Sequence, residues 1–152
     1  MARQSANSPI QALLDRGRLL EALAGLLLAR TALRYLSFAR IERHLLQPLR
    51  RTPCPEPQRS QRLQEVRHAV ARTSRGLPGG VTCFERALAG WLLLRRRGIA
   101  VQLYYGATAR DGDLKGHVWL QDGERGVLGL RAAEGFQAVT CYDGTSGSEA
   151  EE

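Results

Sequence analysis

The chain is 152 residues long and 43% hydrophobic, with 22 Lys and Arg against 15 Asp and Glu for a formal net charge of +7. That suffices for one globular domain with a real core and is too short for two independent ones. The charge is uneven, +9 over residues 1–75 and −2 over residues 76–152. A basic first half can meet nucleic acid, an acidic membrane surface or an acidic peptide, or can simply solvate helix faces.

Residues 1–9 are polar, rich in Gln, Ser and Asn, and read as a disordered start. Met1 to Gln11 lacks the charged start, apolar centre and small-residue cleavage site of an export signal, so a cytoplasmic chain with reduced thiols is expected of its three cysteines. From Ile10 to about Leu46 the period is helical. Leu13, Leu20, Leu23, Leu27 and Leu28 recur at threes and fours, Leu33 and Leu36 continue the stripe, and Arg30, Arg34 and Arg40 lie opposite. Gly17 and Gly25 favour two shorter helices over one long one. Glu21, Arg30, Arg34 and Arg40 interrupt the most apolar stretch, Leu19 to Ile41, so no membrane span is expected.

Pro48, Pro53, Pro55 and Pro57 end regular structure and make a stiff extended linker. Ser60 to Ser74 resumes a polar, arginine-rich helix whose apolar edge is Leu63, Val66, Ala69 and Val70, and the run Gly76-Leu77-Pro78-Gly79-Gly80 stops it. A strongly helical segment follows from Cys83, closing on Arg95-Arg96-Arg97-Gly98, where the arginines complement the helix dipole. After Gly98 the pattern turns β-favourable: Ile99 to Thr108, a polar turn at Asp111-Gly112-Asp113, His117 to Gln121, a tight-turn pair at Asp122-Gly123, then Val127-Leu128 and Phe136 to Tyr142. The tail from Asp143 is acidic and Ser/Gly-rich, and reads as disordered. Helices followed by a small antiparallel sheet give an α+β class.

Cys83 stands where a Gly-Pro-rich loop delivers it onto the first turn of a helix. Partial positive charge on the amides there stabilises a thiolate. Gly79 and Gly80 permit close backbone approach by a substrate, and amides near Cys83 can receive an oxyanion. A buried structural cysteine is the alternative. A thiol nucleophile needs a base, and the histidines are His44, His68 and His117. The first two lie in arginine-rich helical stretches. His117 lies on a strand with Trp119 on the same face, where it is either a satisfied core residue or, if it faces the start of a packed helix, a candidate base for a Cys–His pair. Cys54, Cys83 and Cys141 show no metal-ligand spacing, so no metal is expected. No phosphate-binding or dinucleotide motif calls for a cofactor, and no nucleic-acid motif accompanies the arginines.

The pattern Cys83-x-x-Arg86-x-Leu88, then Leu93 to Ile99, Gly106, His117-Val118-Trp119 and Asp122-Gly123 resembles the stand-alone leader peptidases of bacterial lasso-peptide biosynthesis. These are transglutaminase-like cysteine proteases that correspond to the C-terminal half of the microcin-processing B protein. The resemblance is close over residues 75–142 and looser before. It implies a transglutaminase/papain-like core over residues 76–142, with the helical segment 10–75 packing on it and 143–152 as the acidic tail. Cys83 would be the nucleophile and His117 the general base, with Gly80, Thr82 and Trp119 near the substrate or oxyanion. The family often places an Asp about a dozen residues after the histidine; here that neighbourhood is Val127-Leu128-Gly129-Leu130. Asp122 is the candidate third member, with a plain turn role as its alternative and Glu124 and Glu134 as further candidates. The implied activity is removal of the leader from a precursor peptide. A separate leader-binding recognition-element protein and an ATP-dependent lasso cyclase are the implied partners, and the arginines from Arg30 to Arg51 offer a surface to hold that binding protein or an acidic leader. Another transglutaminase-like acyl transferase, or a non-catalytic basic binding module, are the competing readings.

Overall fold

The computed structural model describes residues 8–50 and 52–145; of the segments expected to be disordered, 1–9 and 143–152, residues 1–7 and 146–152 lie outside the described residues, as does Arg51, whereas Asp143 ends a strand and the Gly144 N–H donates to the Val101 carbonyl at 2.9 Å. The first helix begins one residue before the helical period suggests. Ser8 accepts the Gln11 N–H at 3.3 Å and Pro9 occupies the first position of α1 (Pro9–Tyr35), where a missing N–H costs nothing.

The break expected at Gly17 or Gly25 does not occur. α1 runs unbroken for 27 residues and ends at Leu36, after which α2 (Phe38–His44) begins. Gly25 is tolerated because it is buried against the next-but-two helix, where a Cβ would already stand 3.4 Å from Leu93. Nor is the leucine stripe what α1 buries. Its inward line is Ala22, Gly25, Leu26, Ala29 and Ala32, while Leu13, Leu20, Leu27 and Leu28 lie on the outer side. Small residues let α1 approach its neighbours closely, and burial of short side chains decides the facing.

The proline segment is extended but anchored, the Cys54 N–H donating to the Gly98 carbonyl at 2.8 Å. It leads into α3 (Gln58–Gly76), which buries the expected edge of Leu63, Val66, Ala69 and Val70. α4 (Cys83–Arg96) is the centre of the molecule: Ala87, Leu88, Ala89, Gly90, Trp91, Leu93 and Leu94 are all buried, with α1, α3 and the sheet packed around them. A helix apolar on nearly all sides belongs in the middle of a small domain. Gly98, at φ +75°, ends it; the amides of Gly98 and Ile99 turn back to the carbonyls of Arg95 and Leu94.

Four strands follow: β1 (Gln102–Arg110), β2 (Asp113–Asp122), β3 (Arg125–Leu128) and β4 (Gln137–Asp143), all antiparallel in the order β3-β2-β1-β4. β2 starts four residues before the expected His117, because Asp111 and Gly112, both at positive φ, close a two-residue hairpin that extends the ladder to Arg110 and Asp113. The next turn is centred on Gly123 and Glu124 rather than on the pair Asp122-Gly123, since Asp122 still pairs with Arg125. Leu120 faces α4, where a Cβ on Gly90 would fall 2.8 Å from its Cδ1 and 2.6 Å from that of Leu128. The layout is α+β, helices first and an antiparallel sheet after. No helix among the described residues is long and apolar enough to cross a membrane.

Candidate active site

Cys83 is the first residue of α4 and half-buried. Thr82 caps the helix with a complete capping box: its hydroxyl accepts the Glu85 N–H at 3.1 Å, and the Glu85 carboxylate accepts the Thr82 N–H at 2.9 Å. With the Glu85 amide so occupied, the amides of Cys83 and Phe84 are the donors this first turn leaves to a ligand. The loop before the cap turns through Gly79 and Gly80 at φ +78° and +75°, a conformation that excludes ordinary side chains.

α1 fixes this loop from outside. The Arg30 guanidinium donates to the Gly80 carbonyl and to both Glu85 carboxylate oxygens, at 3.1 and 3.3 Å for the latter. Burial alone would raise the Glu85 carboxyl, but the Arg30 and Thr82 hydrogen bonds and the Arg30 charge outweigh it and hold the carboxyl below its usual value. Arg30 is therefore engaged within the fold, although the sequence pattern assigns it to the solvent side of the helix. So is Arg97, which ends α4 by donating to the Leu93 carbonyl and to Glu21 of α1.

His117 and Cys83 line one cavity of about 90 Å³, together with Ala71, Arg86, Leu128 and Ala132. His117 and Trp119 share a face of β2, as alternation requires, but it is the face away from α4; Leu120 occupies the helix side. His117 thus reaches the cavity where β3 ends, not by facing α4 across the sheet. Its Nε2 lies 2.9 Å from the Gly129 carbonyl oxygen. Its ring stacks on Trp119 (centroids 5.9 Å apart, planes 18° apart) and meets Phe136 at 5.4 Å.

The other candidates fall elsewhere. Asp122 is five residues along β2 from His117, and both its carboxylate oxygens are taken by Arg59 at 2.5 and 2.7 Å. The Arg59 hydrogen bonds hold its carboxyl below the usual range, against the effect of burial. An anchored α3–sheet ion pair is its observed role. Glu124 and Glu134 are exposed. Trp119 is 5% exposed, sandwiched between His117 and Tyr104, with its indole N–H on Gln121 at 2.7 Å; it walls the histidine and does not line the cavity. Gly80 and Thr82 line a separate, open basin of about 510 Å³ beside the cap, with Arg34, Leu33 and Phe84. Cys54 is buried, Cys141 lies on an edge strand, and His44 and His68 are exposed on helices. Sequence reasoning missed Arg30, Phe136 and the Gly129 carbonyl. Only Gly129 left a usable signal, standing twelve residues after His117.

Among the described residues no group of three or more His, Cys, Asp or Glu side chains is placed to hold a metal ion. Residues 23–141 match the family model described as the transglutaminase-like superfamily. No curated protein and no solved structure matches the chain.

Proposed function

The match runs from the middle of α1 to β4, so the chain belongs to the transglutaminase-like superfamily, and from that premise we propose that it is a cysteine peptidase that removes the leader from a lasso-peptide precursor. The observation that carries this reading is the shared cavity: of the described cysteines and histidines, Cys83 and His117 line the same one, and Cys83 sits on a capped helix start. In the proposed reaction the Cys83 sulfur attacks the leader–core carbonyl, forming a thioester and breaking the C–N bond. The first-turn amides of Cys83 and Phe84 receive the oxyanion. His117 takes the thiol proton, delivers it to the departing amine, and then takes one from the water that hydrolyses the thioester. The leader leaves as a free acid and the core keeps its amine for a cyclase acting in the cytoplasm.

The described residues of segment 8–76 form three helices and a proline linker and contribute no strand to the sheet, which supports assigning leader recognition to something other than this helical segment. The test is mass spectrometry of a lasso-peptide precursor incubated with the purified chain and a leader-binding recognition-element protein. Scission into leader and core, lost in Cys83→Ala and in His117→Ala, is expected. Cleavage that persists in either variant overturns the reading. A mass gain of about one dalton without scission, as glutamine deamidation gives, would move the chain to the acyl-transfer alternative.

A further inference from the structure

We propose that the main-chain carbonyl of Gly129 is the orienting partner of His117, holding the imidazole in the tautomer that carries its proton on Nε2. The inference rests on His117 acting as the base in the reaction above, and concerns how the ring is held. A carbonyl oxygen accepts and cannot donate, so the 2.9 Å contact requires Nε2–H, and the neutral ring then has its lone pair on Nδ1. The base that serves the thiol is accordingly Nδ1.

Three further features converge on the same ring. Trp119 and Phe136 confine it, so rotation about the Cα–Cβ and Cβ–Cγ bonds is restricted and the hydrogen bond selects one flip state. Gly129 has φ +78°, and a Cβ there would stand 3.4 Å from Nε2, 3.3 Å from the Val118 carbonyl oxygen and 3.4 Å from the Trp119 Cβ. A glycine is what lets the backbone come this close. Finally, the carboxylates that could compete are committed or exposed: Asp122 is bound to Arg59, and Glu124 and Glu134 face solvent. A peptide dipole fixes the tautomer as a carboxylate would, but places no full negative charge beside the imidazolium. Gly129 is therefore a positioning residue and His117 is steered more than it is charged.

The experiment uses the full chain in two arms. Long-range ¹H–¹⁵N NMR of Cys83→Ala, above the pH at which the imidazole is neutral, reads the tautomer of His117 without turnover; Nε2–H is expected, and Nδ1–H overturns the proposal. In the second arm an α-hydroxy acid replaces Leu130 (Leu130→leucic acid), turning the Gly129 carbonyl into an ester carbonyl, a weaker acceptor of unchanged shape. About a three- to tenfold fall in kcat with KM unchanged, and a mixed tautomer population, are expected. An ester chain with the parent's tautomer and kcat overturns the proposal. Should Cys83→Ala prove active, the peptidase reading falls, while the tautomer of His117 still decides whether Gly129 holds the ring.

Discussion

Arg30 of α1 grips Glu85, the residue that closes the cap of α4, and through the same guanidinium the Gly80 carbonyl, so the helix farthest back in the sequence sets the position of the loop that carries Cys83. Losing that grip should leave the fold in place and loosen the thiol. Arg30→Gln is expected to lower kcat about tenfold, in the range a misplaced reacting group costs, and to slow alkylation of Cys83 by iodoacetamide, with Arg30→Lys recovering part of the rate. Thr82→Ala removes the cap itself and should cost about 1 kcal/mol, read as a fall of roughly 2–4 °C in Tm. Unchanged Cys83 alkylation in both variants would mean that the capping network does not position the nucleophile.

Asp122 tests the distinction between a catalytic and a structural carboxylate. Its partner Arg59 also donates to the Ala100 carbonyl at 3.1 Å, tying the start of α3 to the sheet. Because the folded carboxyl is held below its ordinary value, the pair stabilises the fold fully above that ordinary value, near pH 4, and the contribution is lost as pH falls through the lower, folded value. Asp122→Asn should therefore cost about 2 kcal/mol near neutral pH and progressively less as pH falls below the ordinary carboxylate range, while kcat stays within about twofold of the parent. A large loss of kcat with stability intact would restore Asp122 to the catalytic group.

How much of this was legible from residues alone depended on how local the cause was. The cap at Thr82, the stop at Gly98 and the hairpin at Asp111-Gly112 follow from side-chain chemistry within a few residues, and each is visible in the sequence. The apolar edge of α3 was likewise readable, since Leu63, Val66, Ala69 and Val70 offer one narrow face. α1 was not, because it is apolar on more than one side. Choosing the Ala22–Ala29 line over Leu13, Leu20 and Leu27 depends on the shape of α4, which no local pattern encodes. The site divides in the same way. Residue type and spacing marked Cys83 and His117, but Asp122 was drawn in as a carboxylate at the end of the histidine's own strand, and the Gly129 carbonyl, although it stands at the expected spacing after His117, has no residue type to mark it as a hydrogen-bond acceptor.

Gly106 shows how a spacing signal acquires a physical reason. It lies opposite His117 on β1, and a Cβ there would stand 2.7 Å from two ring atoms of Trp119 and 3.0 Å from the Gln137 carbonyl oxygen. The glycine is the slot into which Trp119 fits, and Trp119 in turn backs the histidine. Gly106→Ala must displace either a buried indole or the edge strand, an overpacking that costs about 1–3 kcal/mol. The expected result is a lower Tm together with reduced kcat and altered ring-proton shifts of His117. Gly112→Ala, at an open hairpin tip, serves as the comparison that lowers Tm through backbone strain alone and leaves the His117 signals where they are.

The exposed arginines test the proposed partner. Arg30 and Arg97 are committed inside the fold, but Arg43 lies exposed on α2 and Arg50 lines an open cleft of about 350 Å³ with Arg95, Arg96, Leu49 and Leu92, at the end of α4 away from Cys83. A cleft of three cations and two leucines suits an acidic amphipathic segment, of the leader or of the protein that presents it. Arg43→Glu with Arg50→Glu should weaken association with the leader-binding protein or leader by about tenfold or more at low ionic strength, chiefly through slower association, with the difference shrinking as salt is raised. Alkylation of Cys83 should be unaffected, since neither residue touches the cavity. Affinity and salt dependence equal to the parent's would remove this surface from the recognition of leader and partner.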